Sequence, residues 1–234
     1  MIYDKTTDFL VIGTGAAGVS AALYASSSGH SVMLCEKASK IGGTTALSNA
    51  MIWIPCSDHA IAAGIDDSIE KARTYLRGEL GDYYDEKKIE AYLEYGPIAV
   101  SQIEKISDIK FVLAGAPDYH SNKEGGVDKG RALSPAPFDG RKLKKDFDLI
   151  GDPIRVVLGG MMITSSEIKY FLNPIKSAKA LLHVSRRVCR YIIDRMRFSR
   201  GTELSGGNAF LAAALTSIRK FKINLSVVKS VIKS

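Results

Sequence analysis

The chain has 234 residues, 46% of them hydrophobic and 24% charged, with a net charge of +7. This composition excludes a disordered or fibrous chain and allows one sizeable domain or two small ones. The positive charge would suit nucleic acid, an anionic ligand or a membrane surface, but solvated Lys and Arg faces account for it, and no RNA-binding motif or zinc spacing accompanies it, so no nucleic-acid partner is expected.

Residues 9–12, Phe-Leu-Val-Ile, form a short apolar run that ends at Gly13 and reads as a buried parallel strand. The Ala-rich segment 16–28 reads as a helix stopped by Gly29-His30, and residues 31–35 read as a second strand. Together they make a strand–helix–strand unit of ordinary length. Lys5 followed by this apolar stretch imitates a secretory signal, but three glycines at regular spacing and a second apolar run ending in an acidic residue argue against one. Residues 66–80 and 86–106 have helical periodicity, the second interrupted at Gly96-Pro97. Residues 114–153 are dominated by Gly, Pro, Asp and Lys and read as a long irregular insertion.

Thr164-Ser165-Ser166-Glu167 has a capping-box pattern, and Asn173-Pro174 reads as the start of a further helix. From there Ile175, Ala178, Leu181, Leu182, Val188, Tyr191, Ile192 and Met196 recur at helical spacing, with Arg and Lys on the other face. A solvated helix covering the core is the favoured reading. A peripheral membrane contact is the alternative. Residues 201–207 are a turn-rich link, 208–218 a helix and 223–228 a strand.

Gly13-Thr14-Gly15-Ala16-Ala17-Gly18 fits G-x-G-x-x-G, follows a strand and opens a helix. Gly13 permits the tight turn, Gly15 lets the backbone approach a pyrophosphate, and Gly18 with Ala22 lets helix and strand pack closely. The helix start presents free N–H groups, including those of Ala16 and Ala17, to phosphate. Glu36, at the end of the second strand, is placed to accept hydrogen bonds from ribose hydroxyls and would repel a 2′-phosphate. The fingerprint alone does not separate NAD from FAD. After Glu36-Lys37 the chain runs Ile41-Gly42-Gly43-Thr44-Thr45-Ala46-Leu47-Ser48-Asn49. Bare backbone followed by Thr44, Thr45 and Ser48 hydroxyls suits a longer ligand, and FAD is the expected cofactor.

These residues resemble the FAD-binding domain of the fumarate reductase and succinate dehydrogenase flavoprotein superfamily, and within it the 3-ketosteroid Δ1-dehydrogenases. The resemblance rests on the fingerprint, Glu36-Lys37, Gly42-Gly43-Thr44-Thr45, Ser48-Asn49 and Ile52-Trp53-Ile54-Pro55. It extends through residues 72–76, Pro117-Asp118-Tyr119, Gly130-Arg131, residues 137–141, Gly159-Gly160-Met161, Arg200-Gly201-Thr202 and Gly207-Asn208-Ala209. It implies removal of two hydrogens next to a ketone, with hydride passing to flavin N5, and a hydrophobic ketosteroid-like substrate. It also implies a supporting proton-handling role for Tyr119. A fumarate-reductase-like enzyme and a non-catalytic remnant are the alternatives.

The implied fold is α/β: residues 1–60 begin a Rossmann-like FAD-binding domain, 61–200 form a helical and irregular insertion, and 201–234 resume the domain. Relatives are about twice as long or more, so the domain is expected to be incomplete at the C-terminus, and the chain alone to bind FAD weakly or not at all and not to turn over. Asn49 stands where the family prefers Gly, a place where Asn's tolerance of positive φ would preserve the turn. His120 follows Tyr119 where relatives often have a second Tyr. Cys35, Cys56 and Cys189 are odd in number with no metal or redox spacing, and the four histidines form no cluster. A reduced, cytoplasmic compartment and no metal are therefore expected.

Overall fold

The computed structural model describes residues 6–154, 156–164 and 166–227. Lys5, Ser165 and Val228, each used in the sequence reading, lie outside the described residues. The chain forms two compact units. One contains the described residues up to Ala50 and those from Ala136 onward, and the other is Met51–Pro135. This division joins residues 136–200 to the first unit, whereas the sequence reading grouped them with 61–135 as one insertion.

In the first unit, β1 (Phe9–Ile12), α1 (Ala16–Ser27) and β2 (Val32–Glu36) form the strand–helix–strand start, followed by the short α2 (Gly43–Leu47). The second unit contains β3 (Ile52–Trp53), α3 (Asp58–Ala62), α4 (Ile69–Leu80), α5 (Glu86–Ile106), β4 (Phe111–Leu113) and β5 (Ala132–Pro135). The chain then returns to the first unit through β6 (Phe138–Asp139), α6 (Ile168–Leu172), α7 (Ala178–Arg195), β7 (Glu203–Leu204), α8 (Gly206–Lys220) and β8 (Asn224–Val227).

The main sheet has order β1-β2-β8, and both pairings are parallel. Leu10 sits opposite Met33, and Leu34 opposite Leu225. β2 is the central strand, and α8 is the helix that leads into the third. α8 is apolar nearly all round, and Ala209, Leu211, Ala212, Leu215 and Ile218 are buried. A helix of that kind belongs in the interior, and here it packs against α1 and α2.

The second unit has an antiparallel sheet of order β3-β5-β4. Ser57, Ser68 and Asp85 cap α3, α4 and α5 through their side-chain oxygens. α5 runs through Gly96-Pro97 without a break, contrary to the sequence expectation. Burial of Leu93, Val100 and Ile103 on both sides of the proline holds one straight face against the unit and offsets the lost hydrogen bond.

Arg131 is the centre of this unit's core. It donates to Asp67 (2.6 and 2.9 Å) and to Asp118 (2.8 Å), and all three side chains are buried. Its guanidinium lies over the rings of Trp53 and Tyr75, and Trp53 Nε1 donates to Asp118 (2.6 Å). Removing the cation would leave two buried carboxylates uncompensated. Arg131→Met is expected to cost about 3–5 kcal/mol, read as a lowered urea midpoint, with Asp67→Asn costing less.

α7 departs most from expectation. Its buried residues are Ala180, Arg187 and Asp194, two turns apart, while Leu181, Leu182, Ile192, Ile193 and Met196 are exposed. Arg187 reaches the Met162 carbonyl (2.5 Å), Glu167 (3.1 Å) and Glu203, and Asp194 accepts from the Thr202 amide (3.0 Å) and hydroxyl (2.6 Å). Polar anchors, not the apolar stripe, face inward. The helix is capped by Ser177, and Asn173-Pro174 opens only a single 3-10 turn. Glu167 accepts from the Thr164 amide (2.8 Å), but α6 starts only at Ile168 with Glu167 as its N-cap, so this pattern closes a turn ahead of the helix and does not cap it.

Candidate dinucleotide site

The site is assembled in the first unit from three separated pieces of chain. Gly13, at φ 98°, donates its N–H to the Cys35 carbonyl (2.7 Å) and turns the chain at the end of β1. Gly15 is extended and precedes α1, and Ala16 and Ala17 occupy the first exposed turn of the helix. A Cβ at Gly18 would lie 1.9 Å from the Gly13 carbonyl oxygen, so only glycine lets the helix fold back onto the turn.

Glu36 ends β2 with 9% of its surface exposed. Its carboxylate accepts from the Thr14 amide (3.0 Å), the Thr14 hydroxyl and the Ala38 amide (2.8 Å). The Thr14 hydroxyl oxygen in turn accepts from the Gly42 amide (2.9 Å). One buried threonine therefore ties the fingerprint turn, the acidic strand end and the second glycine pair together. Burial works to raise the Glu36 carboxyl, and the hydrogen bonds from Thr14 and Ala38 outweigh it, leaving its pKa below the ordinary carboxylate value. A depressed folded pKa stabilises the fold above the ordinary value of 4.5, and that contribution fades as pH falls through the lower folded value.

The second glycine pair lies just beyond. Gly42 has φ 111°, and a Cβ there would meet Leu211 Cδ1 of α8 at 2.2 Å. Gly43 also has positive φ (49°), but around it the space is open, and it is exposed together with Lys37, Thr44 and Ser48. The half-buried Thr45 accepts the Ala16 amide on its hydroxyl (3.0 Å) and so caps α1. The start of α8 closes the back. Gly207 donates to the Ser48 carbonyl (3.0 Å), and a Cβ on it would lie 1.7 Å from the Thr45 oxygen. Asn208 donates to the Ala46 carbonyl (2.9 Å) and accepts from Arg200 (2.8 Å). At Ser48-Asn49 the left-handed residue is Ala50 (φ 47°), not Asn49, whose backbone abuts Gly206. A cavity of about 340 Å³ opens beside Ser48 and Asn49, lined further by Ile154, Met162, Ile163 and Ser205.

Twelve residues were read from the sequence as cofactor contacts: Gly13, Gly15, Ala16, Ala17, Gly18, Glu36, Lys37, Gly42, Gly43, Thr44, Thr45 and Ser48. All of them lie in this unit. Tyr119 lies in the other unit, 99% exposed. Sequence reasoning missed Thr14, hidden at a variable fingerprint position. A hydroxyl there, ahead of a strand-ending Glu, was the signal. It also missed the mechanical part of Gly207 and Asn208.

A parallel three-stranded sheet, a glycine turn at a helix start and an acidic strand end are the features of a dinucleotide-binding domain. The glycine cradle and donor set fit an FAD molecule. A family model described as FAD binding domain matches residues 8–232, and the chain belongs to that family, so FAD is its cofactor. The chain is 35% identical over 214 residues to the 4-oxocyclohex-2-ene-1-carboxylate 5-dehydrogenase of Sinomonas cyclohexanicum, covering 90% of this chain and 36% of that one. It is 41% identical over 140 residues to a 3-oxosteroid 1-dehydrogenase of Mycobacterium tuberculosis, covering 59% of this chain and 25% of that one. Among solved structures, the 3-ketosteroid Δ1-dehydrogenase of Sterolibacterium denitrificans superposes with a TM-score of 0.83 at 28% identity, over 94% of this chain and 40% of that one. The chain thus spans well under half the length of these relatives.

Thr14→Val removes the hydroxyl that donates to Glu36 and accepts from Gly42. It is expected to move the Glu36 pKa upward, read by carboxyl NMR, with Thr14→Ser restoring it.

Proposed function

We propose that this chain supplies the FAD-binding part of a dehydrogenase of the 3-oxosteroid 1-dehydrogenase type, which desaturates a carbon–carbon bond next to a ring ketone. The observation that carries the reading is the Thr14–Glu36–Gly42 tie: it joins the fingerprint to the glycine pair in the arrangement an extended adenine dinucleotide needs. The names of the relatives support the reaction class, since each is a dehydrogenase of a cyclic ketone.

In this reading Glu36 holds the adenosine ribose, the amide of Ala17 in the first turn of α1 faces the pyrophosphate, whereas that of Ala16, expected from the sequence to be free, is taken by the Thr45 hydroxyl, and Gly42, Gly43, Thr44, Thr45 and Ser48 line the path beyond it. Lys37 stands at the rim. FAD, when bound, supplies the two-electron acceptance that no protein side chain offers. The chain's own contribution is to bind and orient the cofactor. Tyr119 is assigned a supporting part in proton handling. What supports this is its Pro117-Asp118-Tyr119 setting, in which Asp118 is fixed by Arg131, Trp53 and the Val127 amide (3.1 Å), anchoring the backbone beneath the exposed phenol. A small ring keto acid is a second substrate reading, favoured by the similarity to the cyclohexenecarboxylate enzyme over 90% of this chain.

Titration with FAD, followed by flavin fluorescence, tests the binding half. Glu36→Ala is expected to weaken binding by roughly 10- to 100-fold, as loss of hydrogen bonds to a charged group does, and equal affinity would exclude the assignment. Turnover of a 3-ketosteroid beside 4-oxocyclohexanecarboxylate by an intact enzyme that contains this domain, with a dye acceptor, tests the reaction, and the Tyr119 variant is measured in that enzyme. Tyr119→Phe should lower kcat about tenfold or more at unchanged flavin content.

A further inference from the structure

The face that α7 turns to solvent is the reverse of what an isolated cover helix would show. Opposite its buried Ala180, Arg187 and Asp194 lie Leu182, Ile193 and Met196, with Leu182 73% and Met196 80% exposed. Just N-terminal to α7, Ile175 is 83% exposed and Leu172, at the end of α6, 80% exposed. Burying side chains of this size stabilises by about 1.5–3 kcal/mol each, so an open set of five is costly to leave in water.

The charges around this stripe have one sign. Residues 168–193 contain no Asp or Glu. Among the described residues, Lys169, Lys176, Lys179 and Arg186 make no ion pair, whereas the inward Arg187 and Arg190 are paired with Glu167, Glu203 and Asp139. Lys179 and Arg186 flank the apolar stripe along one side, at helical spacing from it. A second copy docked on the same stripe about a twofold axis would bring these cations against their equivalents. An anionic interface would neutralise them while the aliphatic tips enter the acyl boundary and the long basic side chains stay at headgroup level. No described helix is long and apolar enough to cross a membrane, which fits a helix lying in the interface plane.

We infer that the outer face of α6 and α7, from Leu172 to Met196, docks on anionic lipid bilayers. The inference goes beyond the proposed reaction and does not depend on it. The test is cosedimentation of the full chain with vesicles of phosphatidylcholine alone or with one quarter phosphatidylglycerol, at low and high salt. The expected result is binding to the anionic vesicles only, released by high salt. Lys176→Gln and Lys179→Gln should each weaken it about fivefold, and Leu182→Asp should abolish it. Circular dichroism melts of these variants, all at exposed positions, should match the parent. Absence of binding, equal binding to neutral vesicles, or binding unchanged in Leu182→Asp would overturn the inference. So would a concentration-dependent dimer, seen by light scattering and lost in Leu182→Asp, without vesicle binding.

Discussion

The hydroxyl of Thr14 is the smallest group on which the cofactor site depends. It donates to Glu36 and accepts from Gly42, so three chain segments meet at one oxygen. A carboxylate at a strand end could otherwise rotate toward water, and a glycine pair could otherwise wander. Thr14 is fully buried, where a hydrogen bond is stronger and an unmade one more costly than at the surface. The low pKa of Glu36 follows from the same contact and keeps its charge over the physiological range. With the tie in place, the α1 amides, the Glu36 carboxylate and the Gly42-Gly43 backbone hold one arrangement before any ligand arrives. Preorganisation of that kind lowers the entropy lost on binding.

The rest of the site is held by clearances too small for a side chain. Gly18 against Gly13, Gly42 against Leu211 and Gly207 against Thr45 each exclude a methyl group. These glycines come from three different regions of sequence, yet each makes room for another backbone or for a buried leucine. α8 supplies the wall on which two of the three contacts depend.

How far the sequence could be read followed from the length of each signal. β1, α1 and β2 were legible because apolar runs, a helix and a fixed glycine spacing occur within 36 residues. β8 was legible by the same apolar run, and its pairing with β2 completes the parallel order. β3, β4 and β5 were not, since β3 and β4 are only two and three residues long and β5, Ala-Leu-Ser-Pro, has no apolar run. The motifs at Trp53, Tyr75, Asp118 and Arg131 looked like scattered family marks. In space they are one buried ion cluster, whose burial only pairing across the fold reveals. α7 defeated the amphipathic rule because its inward face is anchored by Arg187 and Asp194. A charge buried through pairing cannot be told from a solvated one by spacing alone.

α8 lines the cofactor cradle at its first turn and leads into β8 at its last. Gly42 of the cradle packs directly on Leu211, on the helix that carries the third strand into the sheet. A ligand that favours the docked helix raises the free energy of unfolding in proportion to the logarithm of its concentration. Occupancy of the cradle and closure of the parallel sheet are in this sense one equilibrium. The concentration of free FAD would then set the stability of the fold as well as the loading of the site.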